Sequence, residues 1–368
     1  MWGRISLVFV LVAVAVVGVL AWQIVHALSY HGASLPEWEE AVLHFQNSEK
    51  VPVVVSLTTM PGRLSSGRIQ QTLKSVMMQN PGPERIEINI PYELRRKGTK
   101  YHVPSWLQDS PVHIFRGEDE GPATKYLPTL RRYAETQPDA KIFVIDDDMI
   151  MPHGLIDTVN DSMNAHPHKA LCGHGNVLHN KGTRNVSFDL NSYVEPQSSF
   201  LSWLSWNGRA VDTEKGFEEV DIITGYNGYA IRPSFFDLDQ LSDYSDLPEG
   251  ARYVDDIVIS ARLAQRRVPR IVSQDFRAFK FEEHRLLEFV RGWLAPSPDT
   301  EDLSSTENKT QTNNDRVVKH FWAEWNNVCA VPTQTEPVSL EEDNNVVEEE
   351  EAENSASASP GQAAKPKE

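Results

Sequence analysis

Residues 141–148 read KIFVIDDD, an apolar run that ends in three adjacent carboxylates, Asp146, Asp147 and Asp148. A short apolar run of this kind is typical of a strand that is buried on both faces. Adjacent carboxylates repel one another unless a cation or a set of hydrogen-bond donors compensates for their charge. Open α/β sheets bind ligands at the carboxyl ends of their strands. The stretch therefore predicts a divalent-metal site, and its oxygen donors suit Mn²⁺ or Mg²⁺.

Strand and helix patterns alternate before this stretch. Residues 51–58, 86–90 and 112–115 have strand patterns, and residues 69–77 and 127–133 have apolar side chains at helical spacing. Such alternation indicates parallel strands joined by crossover helices. The predicted fold class is α/β, with a mostly parallel sheet flanked by helices. No Gly-x-Gly-x-x-Gly fingerprint or Walker-type lysine loop follows the first strand, which argues against a dinucleotide or P-loop site.

The N-terminus predicts a membrane anchor over residues 5–28. No charged side chain occurs between Arg4 and Glu37, and about 20 apolar residues can span a bilayer. The basic residue on the N-terminal side places residues 1–4 in the cytosol and the remainder of the chain in the lumen. Residues 29–50 then form a stem. A cleaved signal peptide is the alternative interpretation.

The rest of the chain divides at a change of composition. Residues 51–331 are enough for one large α/β domain. Residues 332–368 are rich in Glu, Ser, Ala, Asn and Pro, and are predicted to form an acidic disordered tail. This tail carries much of the net charge of -17, so the charge does not identify the domain's ligand. No nucleic-acid partner is predicted.

Glycosylation triplets and cysteines bear on the compartment. Acceptor triplets begin at Asn160, Asn185 and Asn308, in agreement with a lumenal body. The two cysteines, Cys172 and Cys329, either form one disulfide in an oxidising compartment or remain free thiols.

A second acidic motif, Val254-Asp255-Asp256, begins a helical pattern over residues 254–264. Both carboxylates fall in the first turn, where the helix dipole favours negative charge, and this alone accounts for them. The functional interpretation is a carboxylate base that faces a cavity. Sequence alone leaves both interpretations open.

Three further features have a functional and a structural interpretation. Residues 225–228, Gly-Tyr-Asn-Gly, form either a tight loop close to a ligand or an ordinary turn. Residues 185–217 lack clear periodicity, and Trp206 within them stacks on a sugar or fills a core. His320 lies in an apolar and aromatic segment, as a packed core residue or as a metal ligand.

Together, the apolar first strand, the Asp triplet, the Gly-Tyr-Asn-Gly loop and the late Val-Asp-Asp segment resemble a GT-A glycosyltransferase over roughly residues 51–331. The anchor resembles that of Golgi members of this superfamily. The resemblance implies a single-pass type II protein of the Golgi or ER membrane with a lumenal catalytic domain. It also implies transfer of a sugar from a nucleotide sugar, with a UDP-sugar as the expected donor, to a glycan, glycoprotein or glycolipid.

The resemblance also implies roles for the acidic residues. Asp146 and Asp148 would bind Mn²⁺ or Mg²⁺, and His320 would complete the metal shell. Asp256 occupies the position of the base that deprotonates the acceptor hydroxyl in inverting members, and Asp255 would hold a sugar hydroxyl. The donor sugar, the acceptor and the stereochemical outcome are left open.

Other residues are expected at the substrates. The candidate contacts to the nucleotide sugar are Thr58, Arg63, Lys125, Asp146 and Asp147, and the candidate contacts to the acceptor or sugar are Trp206, Tyr226 and Asn227. Arg63 and Lys125 suit a diphosphate, although either could be a surface charge. We also expect residues 185–221 to form an acceptor-side lid.

Two alternatives remain at this stage. The Asp triplet also resembles the nucleophile loop of the haloacid-dehalogenase-like phosphatases, in which the first Asp is phosphorylated and the second acts as acid and base. In those enzymes, however, the loop follows the first strand of the domain, and here several strands precede it. The second alternative is a non-catalytic lumenal binding protein.

Overall fold

The computed structural model describes residues 17–18, 33–189, 192–195, 209–210, 215–225, 227–276, 279–280 and 311–326. All of them belong to one unit, Met1–Cys329. The predicted anchor lies outside the described residues except for Val17 and Gly18, and the acidic tail lies outside them entirely. None of the helices in the described ranges has the length and apolar character needed to cross a bilayer.

The described strands, in chain order, are β1 (Lys50–Leu57), β2 (Gly82–Pro91), β3 (Glu93–Leu94), β4 (Thr99–Lys100), β5 (His113–Gly117), β6 (Lys141–Val144), β7 (Met149–Ile150), β8 (Ala170–Cys172), β9 (Gly175–Asn176), β10 (Tyr193–Glu195), β11 (Arg209–Ala210), β12 (Phe217–Glu219), β13 (Ile222–Ile223), β14 (Tyr229–Ile231), β15 (Arg270–Ser273) and β16 (Phe279–Lys280).

The described α-helices are α1 (Leu35–Asn47), α2 (Pro61–Ser66), α3 (Ile69–Met77), α4 (Ser105–Gln108), α5 (Leu127–Ala134), α6 (Leu155–Ala165), α7 (Leu238–Ser242), α8 (Asp255–Gln265) and α9 (Gln311–His320). Short 3₁₀ helices cover Gly121–Lys125, Pro233–Phe235, Ala251–Tyr253 and Glu324–Asn326.

The central sheet has eight strands in the order β12-β15-β8-β14-β6-β1-β2-β5. Six of them run in one direction, because β5, β2, β1 and β6 pair in parallel, as do β8 and β15. The other two, β12 and β14, are antiparallel to their neighbours. A second sheet has the order β11-β10-β9-β13. The α/β class with a large, mostly parallel sheet flanked by helices is therefore confirmed.

Both faces of the central sheet are covered, which explains why β1 is a continuous apolar run. Side chains alternate across a strand, so Val53 and Val55 pack with helices α1, α3 and α6 on one face. Val54 packs on the other face, in a core that includes residues of α5 and α8. A third cluster joins α8 to α9 through buried side chains such as Val258 and Val317. Because helices cover both faces of the sheet, the ends of its strands are the parts left uncovered.

The strands predicted over residues 51–58, 86–90, 112–115 and 141–145 are confirmed within a few residues at their ends. Strands β12 and β15 of the central sheet were not predicted from the sequence pattern, and neither was β14. Strand β14 has three residues, which are too few to show a period of two. It directly follows the Gly-Tyr-Asn-Gly segment. It lies antiparallel between β6 and β8, which places that segment beside the end of β6.

Cys172 of β8 is buried and free, and its Sγ donates to the carbonyl of Ile271 at 3.4 Å. Burial in the sheet raises the pKa of its thiol. Cys329 lies outside the described residues.

Candidate active site

The Asp triplet leaves the sheet at the carboxyl end of β6. The last ladder bond is donated by the Ile145 amide to the Ser56 carbonyl of β1, at 3.1 Å. Beyond this point the chain turns, and the three carboxylates face different partners.

Asp147 is held by groups that follow β1. Its Oδ2 accepts a 2.5 Å hydrogen bond from the Thr59 hydroxyl, and its Oδ1 is ion-paired with Nη1 of Arg63. The Thr72 hydroxyl of α3 donates to the Asp147 carbonyl at 2.9 Å. Only 8% of the Asp147 side chain is exposed, and Nη2 of Arg63 also lies 3.4 Å from Asp148. Asp147 is thus paired within the protein, and Arg63 is the cation that compensates its charge.

Asp146 belongs to a different cluster, centred on the buried ammonium of Lys125. Nζ of Lys125 lies 3.1 Å from Oδ1 of Asp146 and 3.2 Å from Oδ2 of Asp255. It lies 3.8 Å from Oδ1 of Asp256. One cation therefore contacts three carboxylates from two distant parts of the chain. The two acidic motifs of the sequence are brought together at this point.

Lys125 reaches the cluster from the end of the 3₁₀ helix Gly121–Lys125, which follows β5. The Gly121 amide donates to Oδ1 of Asp119 at 2.8 Å, and φ at Gly121 is +66°, a conformation that favours glycine. The Lys125 carbonyl accepts a 2.6 Å hydrogen bond from the buried Ser56 hydroxyl. Lys125 is therefore held at its backbone by Ser56 and at its ammonium by the carboxylates.

Asp255 and Asp256 open helix α8, whose buried apolar face includes Ile257 and Val258. The Gly225 amide donates to both carboxylate oxygens of Asp256, at 3.2 and 3.1 Å. A Cβ added to Gly225 would lie 2.7 Å from Nζ of Lys125 and 2.9 Å from an oxygen of Asp146. The loop before β14 thus closes over the cluster, and this position has no room for a side chain.

Burial, with a contribution from neighbouring carboxylates, raises the pKa values of Asp255 and Asp256. Burial raises the pKa of Asp256 to about 7; Lys125 opposes this shift, and Asp255 and Asp146 add to it. Burial also raises the pKa of Asp255. For Lys125, burial alone would lower the pKa, but Asp146 and the two helix carboxylates outweigh it and raise the pKa well above its usual range. A carboxylate that titrates near neutral pH suits general-base work.

The Gly-Tyr-Asn-Gly loop carries further polar groups. Asn227 is buried with φ at +65°, an uncommon conformation for a residue other than glycine. Its Oδ1, and the hydroxyl of buried Tyr229, have no hydrogen-bond partner among the described residues. Buried polar atoms without a partner are rare in folded proteins and are a reason to look for a ligand. Tyr226 lies outside the described residues.

A pocket of about 130 Å³ lies at the same edge of the sheet. Thr58 and Thr59, after β1, form part of its wall, and Gly121, Pro122 and Thr124 of the Lys125 helix form another part. The Thr58 hydroxyl donates to the Asn89 carbonyl at 2.7 Å. Basic and aromatic side chains also line the pocket, namely Arg95, Arg96, Tyr101, Arg252 and Tyr253.

The predicted metal ligands fit a divalent ion only in part. Asp146 and Asp148 are hard oxygen donors, with 35% and 16% of their side chains exposed, and they suit Mn²⁺ or Mg²⁺ with phosphate or water in the remaining positions. His320 is exposed at the end of α9, and its ring meets that of Phe321 edge-on at 4.9 Å. Among the described residues, no hydrogen bond or ion pair joins it to Asp146 or Asp148. Within the described ranges, no group of three or more His, Cys, Asp and Glu side chains is arranged to hold a metal.

The sequence interpretation missed several contributors to this site. It named Gly225 only as part of the loop, and it assigned no role to Ser56 or to the basic residues of the pocket. It also missed His174. This histidine is hydrogen-bonded to the Thr224 hydroxyl at 2.8 Å, and its ring stacks on that of Tyr193. Burial lowers the pKa of His174 to about 4. Trp206 lies outside the described residues. An Arg-Arg pair shortly after a predicted strand was the one available sequence signal.

Comparisons with known proteins provide no identity for this chain. No model of a protein family matches it, and a search of curated proteins finds no significant match.

Proposed function

We propose that this protein is a metal-dependent glycosyltransferase, which moves a sugar from a nucleotide-sugar donor to an acceptor hydroxyl. The observation that supports the proposal is the convergence of Asp146, Asp255 and Asp256 on Lys125 at the end of β6. Inverting glycosyl transfer needs a base for the acceptor beside a binding site for the donor diphosphate, and in this proposal these carboxylates would serve both needs. The mostly parallel sheet is compatible with the GT-A form of this fold.

In this proposal the donor lies along the edge between the pocket and the Asp triplet. The pocket would take the nucleoside, with Thr58 in its wall and Arg95 and Arg96 close enough to supply positive charge. Asp146 and Asp148 would hold Mn²⁺ or Mg²⁺, which would neutralise the diphosphate leaving group. Asp147 supports this end of the site through Arg63 and Thr59.

Asp256 would act on the acceptor. Its carboxylate would accept the proton of the acceptor hydroxyl as that oxygen forms a bond to the anomeric carbon and the bond from this carbon to the diphosphate oxygen breaks. With a pKa of about 7, a substantial fraction of Asp256 is deprotonated at neutral pH and able to accept the proton. Asp255 and Asn227 would hold sugar hydroxyls, together with Tyr226. We place this chemistry in the lumen of the Golgi or ER, because residues 5–28 read as an anchor.

The test is nucleotide release from a panel of UDP- and GDP-sugars by the purified full chain, with Mn²⁺ present or chelated. We expect metal-dependent release from one donor by the wild type and none by Asp148→Ala. Asp239→Ala, which removes an exposed carboxylate in the first turn of α7, should behave as wild type.

Two results would overturn the proposal. Phosphate release from a phosphomonoester, lost in Asp146→Asn and without any sugar transfer, would support the phosphatase alternative. Nucleotide-sugar binding without turnover under any condition would support the non-catalytic alternative.

A further inference from the structure

Ser56 is a fully buried serine in the middle of the sheet, next to the Lys125 cluster but not part of it. Its hydroxyl donates to the Lys125 carbonyl at 2.6 Å. Its backbone carbonyl accepts from the Ile145 amide at 3.1 Å, one residue before Asp146. One residue therefore holds both the segment that carries the ammonium and the segment that carries its carboxylate partner.

The direction of the hydrogen bonds at Ser56 can be assigned. A serine hydroxyl has one proton, and the Lys125 carbonyl can only accept. The Ser56 oxygen therefore accepts from the Thr129 hydroxyl, 2.7 Å away, and from Nδ2 of Asn89 at 3.3 Å. Thr129 in turn accepts from Asn89 at 3.0 Å and from Arg132 at 2.9 Å. The result is a directed chain of donors that ends at Lys125.

The far end of this chain is anchored by a buried carboxylate. Glu87, which lies beside Ser56 in the parallel pairing of β1 and β2, accepts from Arg132 and from the Tyr133 hydroxyl, the latter at 3.0 Å. Hydrogen bonds in such a chain polarise one another and are stiffer than isolated ones. Burying these polar groups costs free energy, which apolar side chains in the same places would not. We therefore expect the network to have a role beyond packing.

We propose that Ser56 is a positioning residue, which fixes the Lys125 ammonium relative to Asp146 and thereby sets the geometry at which the carboxylates of helix α8 meet the end of β6. Ser56 touches neither substrate nor metal and acts through Lys125. The inference rests on the proposed function only where turnover is measured.

The first test does not depend on turnover. Trace acetylation with acetic anhydride, followed by peptide mass spectrometry, measures the reactivity of Lys125 against that of exposed Lys97 in the same molecule. In Ser56→Ala we expect Lys125 to react about five- to tenfold faster, the loss expected of one buried hydrogen bond. Ser273→Ala removes a buried hydroxyl from β15 that does not contact Lys125, and should leave the ratio unchanged.

The second test asks whether Ser56 acts through Lys125. In a double-mutant cycle on nucleotide-sugar turnover, Ser56→Ala should lower kcat about five- to tenfold in the wild type and have no further effect in Lys125→Met. If Ser56 were purely structural, the fold losses in kcat of Ser56→Ala and Lys125→Met would multiply in the double variant. We expect this multiplication for Ser273→Ala combined with Lys125→Met. Thermal melting identifies any variant that does not fold, and Thr129→Val, one bond further along the chain, should then give a smaller effect of the same sign.

The outcomes separate the two proposals. An unchanged Lys125 reactivity in folded Ser56→Ala, or multiplicative losses in the cycle, would overturn the role of Ser56. A wild type that turns over no donor would remove the proposed function, while the acetylation ratio would still decide whether Ser56 positions Lys125.

Discussion

Two neighbouring residues of the Asp triplet have opposite environments. Asp147 is buried against one cation, Arg63, and a hydroxyl, Thr59, which together compensate its charge. Asp146 is partly exposed and shares one cation, Lys125, with two other carboxylates. Arg63 contacts two carboxylates, Asp147 and Asp148, whereas Lys125 contacts three.

The difference shows how one motif separates into structure and function. A paired carboxylate stabilises the fold, because removing it leaves its partner uncompensated. Carboxylates in excess repel one another, raise each other's pKa values and favour a proton or a cation from outside the protein. We therefore expect variants of the Arg63 cluster to affect stability and variants of the Lys125 cluster to affect turnover.

The largest effect is expected from Asp256→Asn. Removal of the base should lower kcat by about 10² to 10⁴-fold, the usual contribution of a positioned acid or base. Stability to urea should not fall, because one of three mutually repelling carboxylates has been neutralised. Nucleotide release and urea unfolding measure the two effects. Undiminished turnover would exclude Asp256 as the base, and Asp239→Asn provides the control.

Asp147→Asn and Asp146→Asn test directly whether the two clusters differ in their effect on stability. We expect Asp147→Asn to lower the free energy of unfolding by about 2 kcal/mol, because Arg63 loses the nearer and more buried of its two carboxylates, Asp148 lying 3.4 Å away. Asp146→Asn should change it by less than about 0.5 kcal/mol, because Lys125 keeps two carboxylates. Equal losses in urea unfolding would show that the two clusters do not differ.

A smaller effect is expected from Gly225→Ala, which adds a methyl group where only backbone fits. The added carbon would press on the ends of Lys125 and Asp146 without affecting the hydrophobic core, so we expect turnover to fall about tenfold, equal to about 1.4 kcal/mol. Gly117→Ala is the matched control, since an added Cβ there meets nothing within 4 Å. Similar turnover in the two variants would show that the cluster tolerates displacement.

The smallest effect concerns pH. Asp256 must be deprotonated to act as a base, and burial raises its pKa to about 7, so turnover should rise with pH and reach half its plateau near that value. The rise follows loss of the proton, so activity is lost on the acid side. A kcat profile that is flat between pH 6 and 8 would contradict this assignment.

Much of the fold could be predicted because its signals are local. The apolar run of β1 and the spacing of Ile69, Leu73 and Val76 in α3 correctly predicted their elements. Strand β14 could not be predicted in this way. Three residues are too few for a period, and their strand conformation comes from pairing with β6 and β8, which are distant in sequence.

The candidate site was predictable to a similar extent. Both acidic motifs were identified, because clustered carboxylates at element ends are visible in sequence. Their meeting on Lys125 was not, because it depends on how the 3₁₀ helix after β5 and the start of α8 approach one strand end. The opposite environments of Asp146 and Asp147 were also hidden, since the two residues are identical and adjacent, and their partners Lys125 and Arg63 come from other elements.

The antiparallel insertion of β14 has a consequence for synthesis of the chain. Until Tyr229 pairs with Val144, β6 is an apolar strand with one unpaired edge, and its partner follows about 85 residues later. At roughly 5–20 residues per second, that edge stays open for about 4 to 17 s during translation. Open apolar edges are templates for aggregation. A nascent chain that ends before α8 lacks two of the three carboxylates of the cluster. By the time these two carboxylates are synthesised, β14 is also available to pair with β6.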